Sequence, residues 1–174
     1  MKMPLVVNQF LDRAERVYPE RIAVIDEPLQ PAESWGSLTW REVARRARAQ
    51  AAALDALGIG EGERVAVVSH NSARLLTSFF GVSGSGRVLV PINFRLSATE
   101  VAYIVEHSGA SMLLVDPELE ESLAHVSAAH RYVIGAESDA LLYDFDNAPR
   151  GWSAPDEDVT ATINYTSGTT ARPK

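Results

Sequence analysis

The sequence contains no cysteine among its 174 residues. This absence excludes a disulfide framework, a thiolate metal site and a cysteine nucleophile, and it fits a reducing compartment, so we expect a cytoplasmic protein. A continuous apolar run of about 18 residues is also missing, and the segment after Met1 has no apolar core of a secretory leader. The sequence therefore predicts neither a membrane span nor a signal peptide.

Positive charge is in deficit, since 16 Lys and Arg residues face 23 Asp and Glu residues and the net charge is −7. That balance argues against general affinity for nucleic acid or anionic membranes. The apolar content of 46% and the charged content of 22% are ordinary for a globular protein. We expect small molecules or proteins as partners, and the sequence leaves a homodimer open.

Apolar periodicity divides most of the chain into alternating helices and strands. Helices are predicted at 6–18, 40–57, 73–82 and 97–107, with a further helix beginning at 116. Strands are predicted at 21–26, 64–69, 88–92, 111–115, 131–134 and 159–165, while 135–158 is expected to be a surface connection. Alternation of this kind predicts an α/β fold, with a mostly parallel sheet flanked by helices.

Two capping boxes mark helix starts, Thr39 with Glu42 and Ser97 with Glu100, because each pairs a hydroxyl N-cap with a glutamate three residues later. Gly58 stands where a glycine commonly ends the first of these helices. Local chemistry therefore supports the helix boundaries independently of periodicity.

Three features invite functional interpretations that the sequence does not favour. Gly81, Gly84 and Gly86 end a helix and precede a strand, which is the wrong order for a dinucleotide fingerprint. The arginines of the second helix are interpreted as a solvated face rather than an anion site: Arg41, Arg45, Arg46 and Arg48. His70 follows a strand end, and a turn histidine is favoured over a binding residue.

The last ten residues, Tyr165-Thr166-Ser167-Gly168-Thr169-Thr170-Ala171-Arg172-Pro173-Lys174, have the composition of a phosphate-holding loop. Small residues let backbone N–H groups approach an anion, hydroxyls add donors, and lysine adds a point charge. The spacing does not fit the Walker A loop. The weakly alternating, β-branched run 159–165 is predicted to be a strand that leads into this loop.

This terminal segment resembles the phosphate-loop signature of the adenylate-forming (AMP-binding) superfamily, which includes acyl-CoA ligases. The likeness extends along the chain through Leu57-Gly58-Ile59-Gly60-Glu61-Gly62-Glu63-Arg64, Val90-Pro91-Ile92-Asn93-Phe94-Arg95-Leu96-Ser97 and Glu106-His107-Ser108-Gly109-Ala110. Within the family, the stretch around Asn93 is more similar to fatty-acyl-CoA ligases than to peptide-synthetase domains.

The resemblance implies that the chain, residues 1–174, is the first part of a large N-terminal adenylation domain, truncated at the phosphate loop 165–174. The implied enzyme is an acid–thiol ligase. It joins a carboxylic acid, expected to be a fatty acid, to ATP as an acyl-adenylate and then transfers the acyl group to CoA. By resemblance, the cofactors are ATP, Mg²⁺ and CoA, and the CoA site is expected outside this chain.

Individual loop residues receive roles by the same resemblance. The phosphates of ATP are expected to bind Thr166, Ser167, Gly168, Thr169, Thr170 and Lys174. Lys174 is the catalytic candidate because it supplies charge, and Thr166 is the Mg²⁺ candidate. Arg172 is interpreted as a solvent-facing cation.

The sequence departs from the family pattern at Ala171, where the family usually has glycine. If that position requires a positive φ, alanine costs on the order of 1 kcal/mol there. The later motifs of the family, including the adenine- and ribose-binding segments, do not occur in the chain, so we expect weak ATP binding from these residues alone. Two alternatives stay open: a non-catalytic α/β binding or interaction module, and an adenylation domain that loads a carrier protein.

Overall fold

The computed structural model describes residues 5–152 and 156–166. Five helices and six strands lie in these ranges. The helices are α1 (Val7–Val17), α2 (Trp40–Ala56), α3 (Ala73–Gly81), α4 (Ala98–Ser108) and α5 (Ala136–Leu142). The strands are β1 (Ile22–Ile25), β2 (Ser37–Thr39), β3 (Arg64–Ser69), β4 (Val88–Asn93), β5 (Ala110–Val115) and β6 (His130–Val133).

The main sheet has the strand order β4-β3-β5-β6, and all its named pairs are parallel. β3 is an interior strand of this sheet, with β4 on one side and β5 on the other. The predicted α/β architecture is confirmed. A second, antiparallel sheet consists of β1 and β2. None of the helices in the described ranges is long and apolar enough to cross a membrane.

Each face of the main sheet carries its own apolar core. Along β3, Val65 and Val67 point to one face, while Ala66 and Val68 point to the other. This is the period-2 alternation of a strand covered on both sides. Helices α2, α3 and α5 cover the first face, and α4 covers the second together with Leu123 and Val126. The sheet is therefore the middle layer of three.

Both predicted capping boxes form. The backbone N–H of Thr39 donates to Oε2 of Glu42 at 2.7 Å, and that of Ser97 donates to Glu100 at 2.9 Å. Each hydroxyl in turn accepts from the backbone of its glutamate. Gly58 has a positive φ of 76°, as expected for the glycine that follows α2.

Two predictions about local structure are wrong. The expected helix from 116 is only a short 3-10 turn, Pro117–Leu119, followed by further turns. In a longer helix Glu118 and Glu121 would lie three residues apart on one face, and their like charges disfavour it. The expected surface connection 135–158 contains α5, whose Leu142 is 1% exposed.

α5 is stabilised by a charge pair that joins distant parts of the chain. Arg74 on α3 donates from Nε to Oδ1 of Asp139 at 2.9 Å, and Trp35 Nε1 donates to Oδ2 at 3.0 Å. The adjacent Tyr143 is buried, which raises its pKa, and it packs edge-on against Trp35. These contacts are made by residues that local sequence patterns do not relate.

The arginine stripe of α2 is not the uniformly solvated face that the sequence predicts. Arg46 is half-buried above the Trp35 ring at 4.3 Å, and burial lowers its pKa. Arg48 donates to Asp12 at 2.9 Å and to Glu15, both on α1. Only the outermost residues of the stripe, Arg41 and Arg45, are exposed. Packing of α1 and of the loop carrying Trp35 explains the difference, because it covers the middle of the stripe.

The glycines that excluded a dinucleotide fingerprint have packing roles. A Cβ on Gly81 would lie 2.9 Å from the carbonyl oxygen of Ala47 and would collide with Gln50. A Cβ on Gly84 would lie 3.1 Å from that of Asn8. Helices α1 and α2 approach the end of α3 closely at these positions. A side chain at Gly81 would force the packing of α2 to shift, while one at Gly84 would require Asn8 to move by a few tenths of an ångström.

Candidate functional site

Thr166 is the one predicted site residue within the described part of the chain, and its side chain is exposed. Ser167, Gly168, Thr169, Thr170 and Lys174 lie outside the described residues, as do Ala171 and Arg172. The structure therefore describes the segment that leads to the predicted phosphate loop and ends at Thr166.

The lead-in segment pairs with the main sheet beside β4. The backbone N–H of Leu89 donates to Ala161 O at 3.0 Å, and that of Ile163 donates to Leu89 O at 2.9 Å. Thr162 thereby forms a parallel bridge with Leu89. The predicted strand 159–165 does not form as a continuous strand, and the isolated bridge at Thr162 is the part of it that pairs with the sheet. Ser83 strengthens the attachment by donating its hydroxyl to Ala161 O at 2.7 Å.

After Ile163 the segment crosses onto α4. Tyr165 Oη lies 2.8 Å from His107 Nδ1, and their rings meet edge to face with centroids 5.8 Å apart. His107 is itself stacked on Tyr103 at 5.2 Å. Burial raises the pKa of Tyr165, so its phenol keeps the proton that it can donate in this contact. Thr166 thus follows directly on an anchored residue.

Sequence reasoning did not connect Tyr165 with His107. The two residues are 58 positions apart, and each stands in a motif that was interpreted by itself. His107 lies in the last turn of α4, where a histidine also suits the negative end of the helix. A signal was available only in the amphipathic pattern of α4, which places Tyr103 and His107 on one face.

The cleft beside the lead-in segment is not suited to hold phosphate. It has a volume of about 570 Å³ and includes one basic side chain, Arg64, among its lining residues. Arg64 donates to the carbonyl oxygens of Ser108 and Gly109 at 2.8 and 2.6 Å, at the carboxyl end of α4. Glu61 and Asp158 also line the cleft, so its local charge opposes an anion.

The carboxyl edge of the main sheet forms a second candidate region. In open α/β sheets, ligands bind outside the carboxyl ends of the strands, where the chain leaves adjacent strands in opposite directions. Here that point lies between β3 and β5, since the chain passes from β3 to β4 on one side and from β5 to β6 on the other. A cleft of about 380 Å³ lies along this edge and includes Ser69, Asn71 and Pro91–Arg95.

His70 lies at this edge and does more than form a turn. Its ring packs on Phe94 with centroids 3.9 Å apart, and Nε2 lies 2.7 Å from Oε2 of Glu118. Asp116, which follows β5, accepts a long hydrogen bond of 3.4 Å from the His70 backbone. The sequence placed Asp116 and Glu118 only at a helix start, so this cluster was missed.

Comparison with known proteins gives a family and a fold. The model of the AMP-binding enzyme family matches residues 11–174. A medium-chain-fatty-acid–CoA ligase from Ectopseudomonas oleovorans is 31% identical, with 100% of this chain and 34% of the relative covered. A fatty acid–[acyl-carrier-protein] ligase, ScoC, from Streptomyces coeruleorubidus is 33% identical, with 85% of this chain and 30% of the relative covered.

The solved structure of O-succinylbenzoate coenzyme A synthetase from Bacillus subtilis, in complex with AMP, is similar in fold. The TM-score is 0.74 at 26% identity, with 99% of this chain and 41% of that chain covered. The chain spans about a third of the length of the curated relatives that it matches. Because the family model covers nearly all of the sequence, the chain belongs to the family of AMP-binding enzymes.

Proposed function

We propose that residues 1–174 form the N-terminal portion of the adenylation domain of an ATP-dependent acyl-CoA ligase. The observation that carries the proposal is the family match that runs through the hydroxyl-rich segment 165–174. The anchored approach to Thr166 supports it, because a phosphate loop needs a rigid base if its donors are to be positioned before ATP binds.

The proposed reaction has two steps. In the first, a carboxylate oxygen of the acid attacks the α-phosphorus of ATP, the bond to the β-phosphate bridging oxygen breaks, and pyrophosphate leaves. In the second, the sulfur of CoA attacks the acyl carbon, the carbon–oxygen bond to AMP breaks, and the thiol proton is released. Both leaving groups are anionic, so the enzyme has to stabilise negative charge on phosphate oxygens.

In this proposal the chain supplies that stabilisation in the first step. The hydroxyls of Thr166, Ser167, Thr169 and Thr170, together with the backbone at Gly168, hold the β- and γ-phosphates. Lys174 contributes a positive charge toward the leaving pyrophosphate. Such preorganised donors stabilise developing charge without needing to reorient during the reaction.

Mg²⁺ would neutralise part of the charge on the triphosphate when bound. It takes only one or two ligands from the protein in nucleotide sites, with water and phosphate oxygens filling the rest. The exposed hydroxyl of Thr166 fits the part of a single neutral oxygen ligand. Acidic ligands and the CoA site would come from outside this chain.

The acid substrate is proposed as a fatty acid. The support is the stretch Val90–Ser97, which resembles fatty-acyl-CoA ligases, and the relative from Ectopseudomonas oleovorans, which is named for medium-chain fatty acids.

The test uses protein expressed from the complete reading frame that contains this chain. Pyrophosphate release is followed with Mg·ATP and a panel of straight-chain acids from acetate to palmitate, with aromatic acids as the comparison class. We expect pyrophosphate and acyl-CoA with fatty acids and little product with aromatic acids. Absence of pyrophosphate with every acid would reject the ligase and favour a non-catalytic module.

A second candidate function transfers the acyl group to a carrier-protein arm instead of CoA. The observation that favours it is the relative named as a fatty acid–[acyl-carrier-protein] ligase. Parallel reactions that offer either CoA or a phosphopantetheinylated carrier protein as the acyl acceptor separate the two functions. Acylation of the carrier protein in one reaction and no acyl-CoA in the other would select this alternative.

A further inference from the structure

His70, Asp116 and Glu118 form a compact cluster of metal-ligating side chains outside the predicted phosphate loop. One ligand atom from each of the three lies within 4.8 Å of the others. The cluster comes from two strand ends, because His70 follows β3 and Asp116 follows β5. At this carboxyl edge the chain leaves β3 and β5 toward opposite sides of the sheet. Such a point is the usual ligand position in an open α/β sheet.

Asp116 is a buried carboxyl group with few hydrogen-bond donors around it. It is 4% exposed, and within the described residues its carboxylate accepts only from the backbones of Glu118 at 3.1 Å and His70 at 3.4 Å. No Lys or Arg side chain in those ranges forms an ion pair with it. A buried carboxylate without a cationic partner is costly, and a bound cation would remove that cost.

Glu118 adds a second carboxylate on the solvent side. Its Oε2 contacts Nε2 of His70 at 2.7 Å, and its side chain is 59% exposed, so it has room to rotate. Two ligand atoms bound to one tetrahedral metal at about 2.1 Å lie about 3.4 Å apart. The cluster therefore has to contract by up to about 1.4 Å when a metal binds, and rotation of the exposed Glu118 side chain can supply this movement.

We propose that His70, Asp116 and Glu118 bind a first-row transition-metal cation of the Zn²⁺, Co²⁺ or Mn²⁺ class. An imidazole nitrogen with two carboxylates suits these metals better than Mg²⁺ or Ca²⁺, which select all-oxygen sites. Three protein ligands leave at least one coordination position for water or another oxygen donor. Access of that position to solvent is supported by the exposure of the Glu118 and His70 side chains, 59% and 31%.

Phe94 gives the site a fixed geometry. Its ring packs at 3.9 Å on His70, which restricts rotation of the imidazole and holds Nε2 toward Glu118. A preoriented histidine loses less conformational freedom when it binds a metal. The proposed site is independent of the ligase reaction and does not rest on it.

The test is a Co²⁺ titration of chelator-treated protein without nucleotide, followed by visible d–d absorption. We expect saturable binding of one Co²⁺ per chain and displacement by Zn²⁺. Glu118→Gln and His70→Gln should each weaken Co²⁺ binding by at least about tenfold. Glu120→Gln is the matched control, because Glu120 is an exposed glutamate on the same turn, and it should bind as the parent does.

Glu118→Gln alters an exposed side chain and keeps its size, so circular dichroism should show an unchanged fold. Equal Co²⁺ affinity in the parent and in both site variants would overturn the proposal. The absence of saturable binding would also overturn it and would leave His70 and Glu118 as a hydrogen-bonded pair at the surface.

Discussion

The hydroxyl of Tyr165 lies 2.8 Å from Nδ1 of His107 and attaches the approach to the predicted phosphate loop to α4. Tyr165→Phe removes this hydrogen bond but retains the ring packing. In the complete enzyme, we expect KM for Mg·ATP to rise about three- to tenfold, the loss that one hydrogen bond of this kind produces. Tyr103→Phe is the control, since the Tyr103 hydroxyl makes no hydrogen bond within the described residues. An equal effect of the two variants would contradict an anchoring role.

Lys174 and Arg172 provide a matched pair of cations in the predicted loop. Lys174→Ala should lower kcat/KM for ATP by about 10²- to 10³-fold, because a charge aimed at the leaving pyrophosphate acts mainly in the transition state. Arg172→Ala should leave kcat/KM nearly unchanged. Pyrophosphate release under single-turnover conditions measures both. A larger loss from Arg172→Ala would reverse the two assignments.

Arg74 and Asp139 join α3 to α5 with side chains that are 6% and 22% exposed. Asp139→Asn leaves the Arg74 charge without its partner, so the free energy of unfolding should fall by about 3 kcal/mol. Arg41→Ala, which breaks the pair with Glu20 at the surface, should cost less than about 1 kcal/mol. Urea denaturation of the three proteins provides the comparison, and similar losses would mean that the Asp139 contact is not needed for α5.

Glu42 makes the start of α2 dependent on pH. Hydrogen bonds from the backbone and the hydroxyl of Thr39 hold the pKa of Glu42 below its ordinary value of 4.5. A lowered pKa in the folded state adds stability above pH 4.5, and this part is lost as the pH falls below that value toward the folded pKa. Glu42→Gln should therefore flatten the acid limb of the stability profile measured by urea denaturation.

Thr39→Ala tests the same capping box by removing the hydroxyl that accepts from the backbone N–H of Glu42. Loss of the N-cap hydroxyl should cost about 1 kcal/mol at neutral pH. If Glu42→Gln keeps the full pH dependence of the parent, the cap does not account for it.

Local sequence signals predicted the elements whose causes are local. The capping boxes at Thr39 and Ser97 place the starts of α2 and α4 because donor and acceptor lie three residues apart. The nearly all-apolar run 64–69 predicted a central strand because both faces of β3 are covered. Helix α5 could not be predicted in this way, since it depends on Arg74, 65 residues away.

In the candidate sites too, local sequence signals predicted some features, while others depend on contacts between distant residues. The lead-in to Thr166 was predicted from β-branched residues in 159–165, while its partners Leu89 and His107 required the folded chain. His70 was noticed at a strand end, but its proximity to Glu118 depends on β3 and β5 being neighbours. Strand order follows from long-range packing, and no spacing within the sequence specifies it.

The bridge between Leu89 and Thr162 has a consequence for where this protein can be shortened. Residues 161–163 occupy the hydrogen-bonding groups of Leu89 on the side that faces away from β3. A version ending before Val159 would expose that side of β4, an apolar edge from Val88 to Ile92 able to pair with strands of other molecules. We therefore expect the segment that leads to the predicted phosphate loop to limit edge-to-edge pairing between copies of the sheet as well, so that solubility and the proposed ATP binding would depend on the same short stretch of backbone.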